Sequence, residues 1–279
     1  AGIVIAAASP AWGFAVVGIA QLAAVAGLLW LRATPVRRDF GDEDRARHPV
    51  AGMLVDIGAG FRYMVRTPWL LATLLFSSVL ILIIMGPIEV LLPFVVTDQI
   101  GGNAGDFALV LASFGIGSAV ASLAVASFRL PRRYLTVMMI GWSVGCLPLA
   151  LVGITDQLWV AVIAVFVVGV AFAVGGVIWG TLLQRRVPPD MLGRVSSLDF
   201  FVSLVFMPVS MALAGPVGHW LGYGWTFALA GAIPVVLGVV TIAAARMPGD
   251  EIAHPLDDGT DMLEGRERPP HTGSIPTVP

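Results

Sequence analysis

Apolar positions in this chain neither alternate nor mark one face of a helix. They run on for roughly twenty residues and then stop at charge, proline or glycine. The long runs cover residues 11–31, 70–96, 107–128, 135–152, 158–183, 200–217 and 227–245. A helix rising about 1.5 Å per residue crosses a hydrocarbon layer of about 30 Å in roughly 20 residues. Each run therefore predicts one membrane-crossing helix, seven in all. Residues 1–8 are apolar but too short to span, and Ser9-Pro10 closes them, so they read as the tail of a preceding helix. Transmembrane barrel strands need alternation, which these runs lack.

The intervening stretches carry their own signals. Residues 34–48 crowd charge around Pro35 and Gly41, a solvated linker. Pro49 then opens a segment in which Leu54, Ile57, Phe61 and Met64 recur at helical spacing, opposite Asp56, Arg62 and Arg66. That pattern predicts an amphipathic helix lying on the membrane surface. Run 70–96 is interrupted by Gly86-Pro87 and Pro93, with Glu89 between them. Run 107–128 is rich in small residues, among them Gly115, Gly117, Ser118, Ala121 and Ser122, which let helix backbones approach closely. Gly169, Gly175, Gly176 and Gly180 form a comparable seam. From Met247 onward the chain is rich in proline, glycine and acid, and is expected to be a disordered tail.

Composition agrees with the pattern: 57% of residues are hydrophobic, only 12% are charged, and mean hydropathy is +0.89. Soluble domains carry about a quarter charged residues. The fold class is an all-α polytopic transmembrane helical bundle. The net charge of −2 says little, because the charges are segregated. All 16 basic residues are arginine. Fourteen of them occur in 32–66, 129–133, 185–194 and at Arg246, and the other two, Arg266 and Arg268, in the C-terminal tail, whereas the turns at 98–106, 155–156 and 219–224 have none. Cytoplasmic loops hold the excess of basic residues, so this strict alternation places the C-terminal end inside and the N-terminal end outside.

Several chemistries are excluded. The four histidines, His48, His219, His254 and His271, fall in loops or the tail, which leaves no zinc or serine-histidine pair within the spans. A retinal Schiff base needs a lysine, and there is none. There is no GxxxxGK[ST] for ATP and no basic aromatic surface for nucleic acid. No cofactor is expected. A seven-helix receptor or sensor without transport activity is the competing reading.

The turn VPPDMLGRVSSL, followed by PVSMALAGPVG, resembles the loop between helices ten and eleven of the major facilitator superfamily. The closer likeness is to its drug and siderophore efflux branch. YMVRTPWL and GPIEVLLPFVV extend the resemblance. Of the family pattern Asp-Arg-x-Gly-Arg-Arg between helices eight and nine, Arg129, Arg132 and Arg133 match, while Phe128 and Pro131 replace the Asp and Gly. The resemblance implies the major facilitator fold, with these spans as helices six to twelve. It divides the chain into the end of the N-terminal half (1–31), a cytoplasmic linker with a surface helix (32–68), the C-terminal six-helix half (69–246) and a cytoplasmic tail (247–279). Its implied partners are the lipid bilayer, a small amphipathic solute, protons, and the remaining N-terminal helices of the same transporter. It implies a bacterial inner membrane location.

Glu89 is the carboxylate well inside a span. An ionisable group costs at least a few kcal/mol in lipid, so it faces the bundle interior and marks a proton or cation path. Alternatively it is a structural acid or outer-gate residue bonding a neighbouring helix end. Asp190 and Arg194, at i,i+4 spacing, together with Asp199, Arg129, Arg132 and Arg133, are candidates for an inner gate. Asp199 is expected to face Arg185 or Arg186. Helix capping and headgroup anchoring are the plainer roles of this set. Gln21, Trp179 and Gln184 are candidate cavity residues, with Gln184 alternatively a helix cap and Trp179 an interfacial aromatic.

Overall fold

The computed structural model describes residues 10–30, 49–128 and 130–256. Among the described residues the regular structure is helical throughout. Helix α1 spans Pro10–Trp30 and α2 spans Pro49–Arg66. The membrane-length helices follow: α3 (Pro68–Gln99), α4 (Ala104–Ser127), α5 (Tyr134–Val152), α6 (Leu158–Arg186) and α7 (Pro189–Ala244). A short α8, Met247–Ala253, closes the described chain.

The 56 residues of α7 are two helices in one. Gly222 has φ 74° and ψ 165°, outside the helical region and within reach of a glycine. It divides α7 into arms 189–221 and 223–244, which restores one helix for each of the last two apolar runs. Runs 200–217 and 227–245 are thus joined by a turn at the position where arginine-free residues were expected to sit. α5 is interrupted as well: Tyr134–Val144 and Leu149–Val152 are separate helical pieces around Pro148.

The bundle is held by close backbone approach. Between α4 and α6, a Cβ on Gly117 would meet the Phe166 carbonyl oxygen at 2.4 Å, and one on Gly169 would meet that of Phe114 at 2.3 Å. Ser113 and Ser118 donate across the seam to the carbonyls of Val162 and Gly169, both at 3.0 Å. Small residues bring the backbones together, and the hydroxyls then reach the facing carbonyls. Gly115, Gly176 and Gly180 face open space instead. The expected seam therefore runs through Gly117, Gly169 and Gly175, the last packed on the Trp142 ring.

The first arm of α7 lies along both α2 and α3. Gly60 abuts Arg194 and Leu198, Gly86 abuts Ser210 and Ala214, and Gly218 abuts Leu91. In α2 the Gly60 and Met64 stripe is buried while Ile57, Phe61 and Val65 are exposed. The apolar residues read as one membrane-facing set are thus split between the bundle and the outside.

The loops sort themselves by end. Gln99 donates to the Thr155 carbonyl at 2.6 Å, and Gly153 packs on Tyr223 and Phe227, so the arginine-free turns after α3, after α5 and within α7 meet at one end. At the other end Arg186 stacks on Trp69 and pairs with Asp250, and Tyr134 donates to the His254 carbonyl at 2.8 Å. The arginine-bearing ends therefore share one side of the bundle.

One expectation fails here. Disorder was expected from Met247, yet residues 247–253 form a helix with Met247 and Glu251 buried against the bundle. Residues 257–279, the rest of the expected tail, lie outside the described residues, as do 1–9 and 31–48.

Candidate functional site

Two places concentrate polar side chains within this apolar molecule. The first is the broken part of α3. Proline has no N–H, so Pro87 and Pro93 cannot donate to the carbonyls of Ile83 and Glu89. The helix accommodates this by widening into π-helical turns at Pro87–Leu91 and Val95–Gln99. Such bulges are frequently functional. The widened segment is clamped from α7: Ser210 Oγ accepts the Gly86 N–H at 2.7 Å and donates to the Leu82 carbonyl at 2.7 Å. Glu89 sits in the first π turn and lines a cavity of about 170 Å³ with Met85, Ile88, Leu92, Phe114 and Phe172, between α3, α4 and α6. Its carboxylate is exposed and has no hydrogen-bond or ion-pair partner among the described residues. No described helix end is bonded by it.

The second place is the arginine-bearing end. Three tryptophans from three helices form a chain: Trp69 meets Trp179 edge-on with centroids 6.3 Å apart, and Trp179 meets Trp142 at 6.5 Å. The Trp179 indole N–H donates to Asp199 Oδ2 at 3.1 Å. The Arg186 guanidinium lies 4.6 Å over Trp69 and 5.9 Å from the Tyr134 ring, and its Nη1 donates to Asp250 Oδ2 at 2.5 Å. A guanidinium held between rings and a carboxylate keeps its charge solvated by the protein. Next to Asp250, Glu251 is only 2% exposed. Its Oε1 accepts from Thr136, and Oε2 is buried with no partner among the described residues. α8 thus ties α5 and α6 together, while Arg186 reaches the start of α3.

Asp199 does not face Arg185 or Arg186 as expected. Arg186 is engaged by Asp250, Arg185 is exposed, and Asp199 accepts the hydrogen bond of the Trp179 indole N–H. Trp179, expected to face a cavity, and Asp199, expected at a gate, are thereby one unit. No described ion pair joins Asp190, which is exposed, to Arg194; Arg194 Nη1 is 3.4 Å from Met191 Sδ. Arg132 and Arg133 are exposed just ahead of α5, and Arg129 lies outside the described residues. Gln184 is exposed near the end of α6, and Gln21 is exposed on α1. Sequence reasoning missed Trp69, Trp142, Tyr134, Asp250 and Glu251, and named Arg186 only as a partner for Asp199. The available signal was Met247 and Glu251 at i,i+4 spacing in a stretch dismissed for its Pro-Gly.

The sequence profile of the Major Facilitator Superfamily matches this chain over residues 1–204 and again over 88–263. The chain belongs to that superfamily. It is similar to Macrolide efflux protein A of Streptococcus pyogenes, 22% identical over 81% of this chain and 55% of that protein. It is also similar to the Enterobactin exporter EntS of Shigella boydii, 23% identical over 78% of this chain and 49% of that protein. The same-named exporter of Escherichia coli O81 is 24% identical over the same shares. The chain spans about half the length of these curated relatives. No solved structure matches it significantly. Family membership and the apolar helices make it a multi-pass membrane protein of a transporter family.

Proposed function

We propose that this chain carries the C-terminal six-helix half, and the last helix of the N-terminal half, of a secondary-active exporter. It works in a bacterial inner membrane with its C-terminal end cytoplasmic. The complete transporter moves an amphipathic drug or a siderophore-like metabolite outward as protons move in. Two helical halves rock around a site near mid-membrane, exposing it alternately to either side. The exporter relatives support the direction, and the superfamily supports the rocking.

The observation that carries the coupling is Glu89. A carboxylate without a described partner, in a π-helical turn on the wall of a cavity, is free to exchange a proton as its surroundings alternate between wet and apolar. The prolines that widen α3 keep that turn from closing into a regular helix. At the opposite end, Asp199 with Trp179, and Arg186 with Asp250, hold α3, α6, α7 and α8 together, which is the work of an inner gate. Arg132, Arg133 and Asp190 are exposed there and serve as headgroup or partner-half contacts.

The test is Glu89→Gln in the complete transporter, read as efflux driven by an imposed proton gradient. Efflux that falls at least tenfold and loses its dependence on external pH supports the coupling role. Unchanged efflux with an unchanged pH profile removes Glu89 from it.

A further inference from the structure

A groove on the outer face of the bundle, at its arginine-bearing end, has not entered the transport reading. It has a volume of about 550 Å³ and is lined by Ile140 of α5, by Val239, Ile242 and Ala243 of the second arm of α7, and by Arg246, Pro248 and Gly249 where the chain turns into α8. Ile140 is 47% exposed and Val239 63%, so these apolar side chains look out of the bundle into the bilayer. A surface whose solvent is lipid is filled by lipid.

Its mouth is cationic, and the backbone holds it so. Arg246 has φ 48° and ψ 40°, the one described non-glycine residue with positive φ. This is the reversal that lets Met247 and Glu251 turn inward. The Arg246 carbonyl accepts the N–H groups of Gly249 and Asp250 at 3.0 and 3.2 Å, which fastens the turn. The nearest acids on α8 are already engaged: Asp250 pairs with Arg186, and Glu251 is buried on Thr136. The Arg246 guanidinium has no partner among the described residues. Beyond Gly249 there is open space, so a headgroup is not obstructed.

We propose that this groove seats an anionic phospholipid, with its phosphate on Arg246 and the upper part of one acyl chain along Ile140, Val239 and Ile242. The charge at the mouth selects the headgroup, and the apolar lining takes the chain. The seat is independent of solute, direction and coupling. Its occupant bridges α5, α7 and α8 and so bears on how firmly α8 docks.

The full chain is released from nanodiscs of equal phosphatidylglycerol and phosphatidylcholine, and retained lipid is counted by native mass spectrometry. The wild type retains phosphatidylglycerol in preference. Arg246→Gly removes the charge while relieving the positive-φ strain, so it folds at least as well and loses the preference by about fivefold, the contribution of one interfacial arginine. Arg132→Gln, which removes an arginine at the same end but outside the groove, leaves the preference intact. Ala243→Trp, which fills the groove without touching charge, lowers retention of both lipids. Equal retention by the wild type, or a preference that survives Arg246→Gly, overturns the proposal. So does an equal drop with Arg132→Gln, which would indicate only diffuse attraction to the basic end.

Discussion

Arg186 and Asp250 show what a single ion pair does when water is scarce. The Arg186 side chain is 10% exposed and that of Asp250 23%, and the guanidinium also lies over Trp69. Neutralising Asp250 leaves the poorly exposed guanidinium without its charge-assisted partner. Asp250→Asn is expected to cost about 1.5–3 kcal/mol. The loss should be local: hydrogen exchange of the α8 amides rises while that of the α4 and α6 seam is unchanged. Arg186→Lys keeps a positive charge but not the planar stack, and should fall between wild type and Asp250→Asn. Glu251 points the other way. Its buried Oε2 lacks a partner, and Glu251→Gln keeps an oxygen for Thr136 while removing the charge. A raised melting temperature is expected, and a lowered one would mean that the carboxylate charge is itself used.

Helix packing here is decided by which glycines face a neighbour. A Cβ on Gly86 would come within 2.5 Å of the Ser210 carbonyl oxygen and 2.9 Å of Ala214 Cβ, whereas one on Gly115 would meet nothing within 4 Å. Gly86→Ala must push α3 and α7 apart, at about 1–3 kcal/mol, and it disturbs the Ser210 hydrogen bonds beside Glu89. Gly115→Ala should be neutral. Thermal unfolding in detergent separates them, and equal melting temperatures for the two variants would contradict the packing described. Gly86 precedes a proline and Gly115 lies among small residues, but neither setting says which glycine meets a neighbour; the facing helix does. The same limit explains Asp199. A carboxylate ten residues into α7 is legible as costly to bury, but its partner, the indole of Trp179, is set by how α6 and α7 cross. α8 was lost for a related reason: a seven-residue helix has too little propensity to register, and it exists because Met247 and Glu251 find a surface. What was legible was coarser and robust. Apolar length located every described span, and Gly86, Pro87 and Pro93 located the break in α3.

For the molecule as a whole, the ordering of the loops is the property on which the proposed transport depends. Gln99 and Thr155 join the arginine-free turns, and Arg186, Trp69, Tyr134 and Asp250 join the arginine-bearing ends. An odd number of crossings between two loops puts them on opposite faces, so the geometry predicts that the turn containing Asp156 and the one containing Arg132 never share a compartment. Both residues are exposed, and the chain's single cysteine, Cys146, is fully buried in α5. Asp156→Cys and Arg132→Cys can therefore be made in the natural sequence with little background from the native thiol. An impermeant maleimide added to intact cells should label Asp156→Cys, and should reach Arg132→Cys only after the membrane is opened. That outcome also sets the absolute direction, because basic loops remain on the cytoplasmic side. If both variants label before permeabilisation, α5 does not cross the bilayer. Glu89 and the Arg186 cage would then lack the separate compartments that alternating access requires.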